Sequence, residues 1–225
     1  MKTVAVILLA GSSTRFAAKS SKQFYEINGK PLAYYALKPF IESNKIDFIV
    51  LTYKNDDIDK INDLIKSFGN KKEIFKVLGG SSRHKSVENT LNFLKDKLSD
   101  NDNVLIHDGA RLFLEEQQII NLLESLKIYN AATLAIPAED TIAVVKNNLL
   151  ESVPSRNNIV KIQTPQAFKF KTIMNAHSIC NIEATDDAQL CLLINENVKI
   201  IEGSKKLNKV TTIEDIVNVK EILND

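Results

Sequence analysis

Short apolar segments alternate with amphipathic segments along most of this chain. The apolar segments have the length and composition of buried strands, and they are VAVILL (4–9), DFIVLT (47–52), EIFKVL (73–78), NVLIHD (103–108) and ATLAIP (132–137). Between them, apolar residues recur at the helical spacing of 3.6 residues in segments 31–41, 57–68, 86–98 and 115–129. This alternation predicts an α/β fold with a mostly parallel sheet and helices on both of its faces.

After Pro137 the alternation stops. Residues 140–163, DTIAVVKNNLLESVPSRNNIVKIQ, indicate short strands around an Asn-rich turn, which is an excursion from the sheet. A helical pattern returns at 186–196 and a strand at 198–202, and the terminal segment TTIEDIVNVKEIL begins with residues suited to a helix N-terminus. Since no repeat or linker divides the chain, we expect residues 1–225 to form a single domain.

The composition restricts the classes of function. A chain of 225 residues with 44% apolar content can bury a sizeable core, and its formal net charge of +1 provides no overall attraction to nucleic acid or to an anionic membrane. No apolar run has the length of a membrane span, and the first residues lack the pattern of a signal peptide. The sequence therefore predicts a cytoplasmic protein with neither a nucleic-acid nor a membrane partner.

The loop after the first strand contains the first candidate chemistry. The segment AGSSTRFAAKSSKQF combines small and hydroxyl-bearing residues with Arg15 and Lys22. Open α/β sheets bind ligands beyond the carboxyl ends of their strands, where small residues let backbone N–H groups approach phosphates. We therefore expect an anionic ligand here, the alternative being a surface turn with two solvated charges.

Four further clusters stand at the ends of predicted strands or in the loops after them. They are GGSSRHKS (79–86), HDGAR (107–111), QTPQAF (163–168) with TDDA (185–188), and GSKKLNKVTT (203–212). Because the loops after parallel strands meet at one edge of a sheet, these segments can share a site. Asp108 ends an apolar strand, so it either pairs with a cation such as Arg111 or holds a metal–phosphate complex, and the two roles are compatible.

Several familiar catalytic motifs are missing from the sequence, which contains no Walker A, GxGxxG, GxSxG, HExxH or CxxC pattern. We interpret His107 as a partly buried structural residue rather than a general base. The surplus of Arg, Lys and Thr around one strand-end aspartate favours phosphoryl or nucleotidyl transfer by charge stabilisation and positioning.

Taken in order, these motifs resemble a known family over nearly the whole chain. The set LAGSSTRF with SKQF, GGSSRHKSV, HDGAR, DT, the arginine at 156, QTPQAF, TDDA and NKVTT is similar to the IspD family of nucleotidyltransferases, the 2-C-methyl-D-erythritol 4-phosphate cytidylyltransferases. The resemblance implies a Rossmann-like fold, CTP as a substrate, Mg²⁺ or another divalent cation, and pyrophosphate release. It also implies a homodimer that exchanges a projecting β-arm, about 138–163, and it identifies the polyol phosphate acceptor of the non-mevalonate isoprenoid pathway.

The resemblance also implies roles for individual residues. The cations Arg15, Lys22, Arg156 and Lys209 would act in catalysis, with Arg15 and Lys22 stabilising the α-phosphate and the departing pyrophosphate. The predicted nucleotide-binding residues are Ala10, Gly11, Ser12, Ser13, Gly79, Gly80, Arg83, Ser86 and Gly109. The predicted acceptor-binding residues are Asp108, Arg111, Thr141, Thr164 and Thr185, and Asp108 is also the candidate metal ligand, acting mostly through the CTP phosphates.

The sequence departs from the family's pattern at four positions. Ser13 replaces a glycine and Ser21 a proline, while Leu112 replaces a proline and Leu207 an asparagine. These departures leave two alternatives open. One is a ribitol 5-phosphate cytidylyltransferase, which shares the fold, CTP and the QTPQ region; the other is a nucleotide-binding relative with weakened catalysis.

Overall fold

A seven-stranded sheet forms the centre of the structure, a computed structural model that describes residues 1–11, 16, 21–180, 182, 184 and 186–224. The strands are β1 (Thr3–Leu8), β2 (Glu26–Ile27), β3 (Lys30–Pro31), β4 (Phe48–Tyr53), β5 (Glu73–Leu78), β6 (Asn103–Asp108), β7 (Ala131–Pro137), β8 (Val144–Lys146), β9 (Leu149–Ser152), β10 (Val160–Lys169) and β11 (Val198–Glu202). Their order in the central sheet is β11-β7-β10-β6-β1-β4-β5. Every pairing in this sheet is parallel except those of β10, which runs antiparallel to β6 and β7.

Helices cover both faces of the sheet. They are α1 (Leu32–Glu42), α2 (Ile58–Phe68), α3 (Arg83–Leu94), α4 (Glu116–Ser125), α5 (Phe170–Ile179), α6 (Asp187–Leu193) and α7 (Asp215–Asn224). Alternate residues of β1 enter two different cores: Ala5 and Ile7 pack with α1, α2 and α4, while Val4 and Val6 pack with α3, α5 and α6. Apolar side chains on both faces of a strand explain why VAVILL is continuously apolar. Within the described ranges, no helix is long and apolar enough to span a membrane.

The predicted α/β architecture is confirmed, and each of the five apolar segments, as well as the strand predicted at 198–202, overlaps a strand of the central sheet. QTPQAF, which was predicted at the end of a strand or in the loop after it, instead lies inside the long strand β10. Gln163, Thr164 and Gln166 are polar although they are buried, so this part of the strand lacks the run of apolar residues from which the other strands were predicted. Their polar groups are hydrogen-bonded, as when Gln163 Nε2 donates to the Ser204 carbonyl at 2.8 Å, and such bonds make the burial of polar side chains possible.

The excursion after Pro137 forms a separate two-stranded ribbon of β8 and β9. Its apolar side chains are exposed, with Leu149 and Leu150 each 73% accessible to solvent. The chain re-enters the central sheet at Val160, which pairs with Pro137, so residues 160–163 belong to the sheet. A projecting ribbon with an apolar surface is an unfavourable arrangement in water unless another surface covers it.

Candidate active site

A cleft of about 490 Å³ opens at the carboxyl ends of β1, β4 and β6. It brings together nine of the residues predicted from sequence: Ala10, Gly11, Lys22, Gly80, Arg83, Ser86, Asp108, Gly109 and Lys209. They come from five segments spread over most of the chain. The expectation that strand-end loops converge on one site holds for these residues.

Asp108 is the only carboxylate among the described residues that line this cleft, and it lies between two cations. Its Oδ1 accepts a hydrogen bond from Arg83 Nε at 3.2 Å, and its Oδ2 accepts one from Lys209 Nζ at 2.7 Å. Burial on its own would raise the pKa of Asp108, but Arg83 and Lys209 hold that pKa well below its usual range. The carboxylate is therefore ionised throughout the physiological pH range.

Backbone pairing explains how Lys209 reaches a residue that is distant in sequence. Arg111 forms an isolated antiparallel bridge with Lys209, and Val210 N–H donates to the Ala110 carbonyl at 2.8 Å. The HDGAR and NKV segments thus lie side by side. The same pairing places the Val210 carbonyl where Lys22 can reach it.

Lys22 enters the cleft from a short 3₁₀ turn, Lys22–Phe24. Its side chain is largely buried, and Nζ donates to the Val210 carbonyl at 2.6 Å. A buried ammonium needs strong acceptors, because removing it from water is costly. This lysine is therefore held where the oxygens of a bound phosphate can compete for its protons.

The loop between β5 and α3 provides the small-residue wall of the cleft. Gly80 N–H donates to Ser86 Oγ at 3.0 Å, and Ser82 caps α3 by accepting from Lys85 N–H at 3.2 Å. A Cβ added at Gly79 would lie 2.4 Å from the Ala10 Cβ, so only glycine allows this close approach of two loops. The N-terminus of α3, with its donor N–H groups, faces the same space and favours anions.

A buried hydrogen-bond chain supports the Asp108 end of the cleft. Asp108 N–H donates to Thr164 Oγ1 at 3.0 Å, and Thr164 Oγ1 lies 3.1 Å from His107 Nδ1. His107 Nε2 lies 3.0 Å from the Arg111 carbonyl, which can only accept, so Nε2 carries the proton and Nδ1 accepts from Thr164. Burial lowers the pKa of His107 to about 4, which keeps the ring neutral. His107 thus has the structural role expected from the sequence, although it is fully rather than partly buried.

Arg111 and Thr164, two of the predicted acceptor-binding residues, are engaged with neighbouring groups beside the cleft. The Arg111 guanidinium donates to the carbonyls of Leu207 and Ile162 at 3.0 and 3.2 Å, and burial lowers its pKa from the ordinary value. Thr164 is 3% exposed, and its hydroxyl is occupied by Asp108 and His107. In this arrangement both residues shape the loop that carries Asp108.

Thr141 and Arg156 are located elsewhere, on the excursion. Arg156 is exposed, and its Nη1 donates to the Glu139 carbonyl at 3.1 Å, while Glu139 pairs with Lys205. Neither residue is among the described residues that line the cleft of the same chain. The structure of one chain therefore does not bring these two predicted residues to the site.

Four predicted residues lie outside the part of the chain that the structure describes: Ser12, Ser13, Arg15 and Thr185. The other departures from the family's pattern have local explanations. Leu112 and Leu207 are 1% and 0% exposed and belong to apolar clusters, so they contribute to packing. Ser21 Oγ donates to Asp57 Oδ2 at 2.8 Å, which anchors the turn that carries Lys22.

Sequence reasoning missed some residues that the structure brings to the site. Gln23 and Lys54 line the cleft, and the almost fully buried Asp187 pairs with Arg83. Lys54 directly follows β4, so the rule that identified the other strand-end residues could have found it. Asp187 stood within the motif TDDA, but the sequence carries no signal that this aspartate contacts a residue about a hundred positions earlier.

The donor set of the cleft allows a divalent cation bound chiefly through substrate phosphates. Among the residues that the structure describes, no three His, Cys, Asp or Glu side chains are grouped closely enough to hold a metal by themselves. Asp108 supplies one ionised carboxylate in a space that is large enough for phosphates. Mg²⁺ commonly binds one or two carboxylates together with substrate phosphates, so this single carboxylate fits it.

Comparisons with known proteins cover almost the whole chain. The family model for IspD, 2-C-methyl-D-erythritol 4-phosphate cytidylyltransferase, matches residues 3–225. A protein with that name from Thermosipho africanus is 39% identical over 227 residues, covering 98% of each chain, and one from Clostridium perfringens is 40% identical over 221 residues, covering 96% of each.

Solved structures agree with the sequence relatives. The crystal structure of 4-diphosphocytidyl-2C-methyl-D-erythritol synthase from Anaerococcus prevotii has a TM-score of 0.85 at 28% identity, and the alignment covers 100% of this chain and 99% of that one. A 2-C-methyl-D-erythritol 4-phosphate cytidylyltransferase from Francisella tularensis has a TM-score of 0.82, also at 28% identity, with 98% and 99% covered. The likeness therefore extends to the whole fold.

Proposed function

Since this chain belongs to the IspD family, the 2-C-methyl-D-erythritol 4-phosphate cytidylyltransferases, we propose that its cleft transfers CMP from CTP to 2-C-methyl-D-erythritol 4-phosphate. The products are CDP-methylerythritol and pyrophosphate. The observation that supports this most directly is that Lys22 lines the same cleft, at the carboxyl edge of the sheet, as Asp108 with its hydrogen-bonded partners Arg83 and Lys209.

The reaction needs positioning and charge compensation rather than a base. An oxygen of the acceptor phosphate attacks the α-phosphorus of CTP, a new P–O bond forms, and the bond from the α-phosphorus to the bridging oxygen breaks, releasing pyrophosphate. A phosphate monoester has a second pKa of about 6, so its oxygen is already anionic near neutral pH. This chemistry is consistent with the neutral, buried state of His107.

Cations overcome the repulsion between two polyanions and stabilise the charge that develops on the leaving group. Lys22 and Arg15 would hold the α-phosphate and the departing pyrophosphate, while Lys209 would serve the acceptor side. Ala10, Gly79 and the α3 N-terminus would bind the nucleotide. The remaining predicted nucleotide-binding residues are Gly11, Ser12, Ser13, Gly80, Arg83, Ser86 and Gly109, and the predicted acceptor-binding residues are Asp108, Arg111, Thr141, Thr164 and Thr185.

We assign Asp108 as the residue that would hold Mg²⁺ together with the CTP phosphates. When bound, the cation neutralises phosphate charge and aligns the triphosphate for in-line displacement. Substrate phosphates would then take Arg83 and Lys209 as partners, which frees the Asp108 oxygens that these cations occupy in the structure.

A homodimer with exchanged arms would complete the site. The ribbon of β8 and β9 exposes Leu149 and Leu150, which a second subunit would cover. Arg156 and Thr141, which lie on the excursion, would then reach the acceptor phosphate of the partner's cleft. An arginine suits this task because its planar guanidinium can bind two phosphate oxygens at once.

The function is tested by measuring pyrophosphate release with CTP, ATP, GTP and UTP, each offered with 2-C-methyl-D-erythritol 4-phosphate or ribitol 5-phosphate. We expect rapid release only with CTP and the methylerythritol acceptor. Faster release with ribitol 5-phosphate would show that this compound, and not 2-C-methyl-D-erythritol 4-phosphate, is the acceptor. Binding of CTP without release would identify a catalytically weakened relative.

Sharing of the site is tested by mixing inactive Lys22→Ala subunits with inactive Arg156→Ala subunits. If Arg156 acts across the dimer, each mixed dimer contains one doubly defective and one intact site, so random mixing restores about a quarter of the wild-type sites. No recovery, with subunit exchange confirmed by a mass-labelled chain, would contradict the shared site.

A further inference from the structure

Asp187 is an almost fully buried carboxylate, 1% exposed, at the first position of α6. Its Oδ2 lies 2.7 Å from Arg83 Nη1, an ion-pair contact whose angle is poor for a hydrogen bond. Its Oδ1 lies 3.0 Å from His177 Nε2. Burial on its own would raise the pKa of Asp187, but Arg83 and His177 lower it, so the group is ionised and attracts Arg83.

The adjacent aspartate has a different role. Asp186 Oδ1 accepts from Ala188 N–H at 2.9 Å, which caps α6, and its Oδ2 accepts from Gln166 Nε2 at 2.7 Å. Of these two aspartates, Asp187 is the one that forms the ion pair with Arg83. The pair joins the first residue of α3 to the first residue of α6, and this fixes where the guanidinium lies.

Arg83 divides its donors between two carboxylates. Nε donates to Asp108 Oδ1, while Nη1 contacts Asp187. A guanidinium with one carboxylate partner tends to pair with both of its oxygens at once. Without Asp187, Arg83 would be free to turn onto Asp108 and compete with Lys209 for Oδ2.

We propose that Asp187 is a positioning residue, which holds the Arg83 guanidinium at Oδ1 of Asp108 and away from the Oδ2 that Lys209 occupies, so that the substrate phosphates meet both cations in place. This inference rests on the proposed function, because it assigns Asp187 a part in nucleotidyl transfer. Asp187 acts through Arg83, which lines the cleft, and touches neither substrate in this scheme.

The test is a double-mutant cycle on the full-length enzyme, with kcat and KM for CTP measured by pyrophosphate release. We expect Asp187→Asn to lower kcat tenfold to a hundredfold, the scale of a misplaced group, with KM for CTP changed less than about threefold. Asp187→Glu restores the carboxylate, so its kcat should exceed that of Asp187→Asn. If Asp187→Asn does not fold, Asp187→Ser takes its place in the cycle, since it leaves room for water beside Arg83.

The decisive comparison is made in an Arg83→Met background. If Asp187 acts only through Arg83, adding Asp187→Asn to Arg83→Met should change kcat by less than about twofold. If the losses of kcat caused by Arg83→Met and Asp187→Asn multiply in the double variant, Asp187 contributes to the general stability of α6 and the inference is overturned. A kcat for Asp187→Glu as low as that of Asp187→Asn would also overturn it.

Asp102 provides the matched control at the opposite end of β6. It is also a buried aspartate, and it accepts from Lys2 N–H and Ser99 N–H at 2.7 and 2.8 Å. We expect Asp102→Asn to lower the melting temperature while kcat stays within about twofold of wild type, and an equal loss of kcat in both variants would overturn the inference. An inactive wild-type chain would overturn the proposed function itself, and this inference with it, whereas an active wild type with unchanged Asp187→Asn kinetics overturns the inference only.

Discussion

His107 makes the stability of this protein depend on pH in a way that can be isolated. Burial lowers its pKa from the ordinary 6.5 to about 4 in the folded chain. Above pH 6.5 the ring is neutral in both states; between 6.5 and 4 the unfolded chain binds a proton that the folded chain does not. The contribution of His107 to the free energy of unfolding is therefore fully present above the pKa of the unfolded chain. It is lost as the pH falls towards the pKa of the folded chain.

The size of the effect follows from the difference between the two pKa values. Each pH unit below the pKa of the unfolded chain lowers the free energy of unfolding by about 1.4 kcal/mol until the pKa of the folded chain is reached. A pH of about 4.5 lies about two units below the pKa of the unfolded chain. Acidification from about pH 7.5 to about pH 4.5 should thus cost about 2 to 3 kcal/mol through His107, a large fraction of the stability of an ordinary domain.

The assay is urea unfolding at several pH values for the wild type and for His107→Gln. Glutamine can still donate to the Arg111 carbonyl, but it does not titrate. Because other ionisable groups are common to both chains, their contributions cancel in the difference. We expect the free energy of unfolding of the variant to fall less steeply between pH 6.5 and 4, and the same slope in both chains would refute a neutral, buried His107.

Three further predictions concern the cleft and the arm. Lys22→Ala should lower kcat by roughly a hundredfold, since preorganised donors act mainly in the transition state, and a change confined to KM would contradict that role. Gly79→Ala places a Cβ 2.4 Å from that of Ala10, so CTP affinity by calorimetry should fall at least about tenfold, and wild-type affinity would contradict the proposed nucleotide wall. Replacing both Leu149 and Leu150 with Ser should shift the sedimentation of the protein towards monomer, and an unchanged species would argue against arm exchange.

The sequence predicted those parts of the fold in which burial and polarity follow a simple pattern. The five apolar segments and the segment 198–202 formed sheet strands because most of their residues are apolar. β10 was missed because its polar residues are buried against specific partners, as Gln166 is against Asp186 and Thr133. Only the tertiary structure supplies these partners, so the composition of the strand does not indicate its burial.

In the candidate site, too, the sequence predicted which residues take part but not the contacts between them. Asp108 and Lys209 could be predicted because each lies in a segment at a strand end, where loops converge. Their 2.7 Å contact depends on the pairing of Arg111 with Lys209, and the position of Arg83 depends on the relative placement of α3 and α6. The first distance results from backbone pairing between two distant loops and the second from helix packing, and sequence spacing specifies neither.

The resting charges of the cleft explain why this group of cations is stable before substrate binds. Asp108 neutralises part of the charge of Arg83 and Lys209, and Lys22 donates to a carbonyl, so these positive groups remain close together in a partly dry space. Anionic substrates supply more negative charge than one carboxylate does, so they can take over these donors without large movements of the backbone. A fold that holds its cations in this way has already overcome their mutual repulsion, which is the preorganisation that transfer between two polyanions requires.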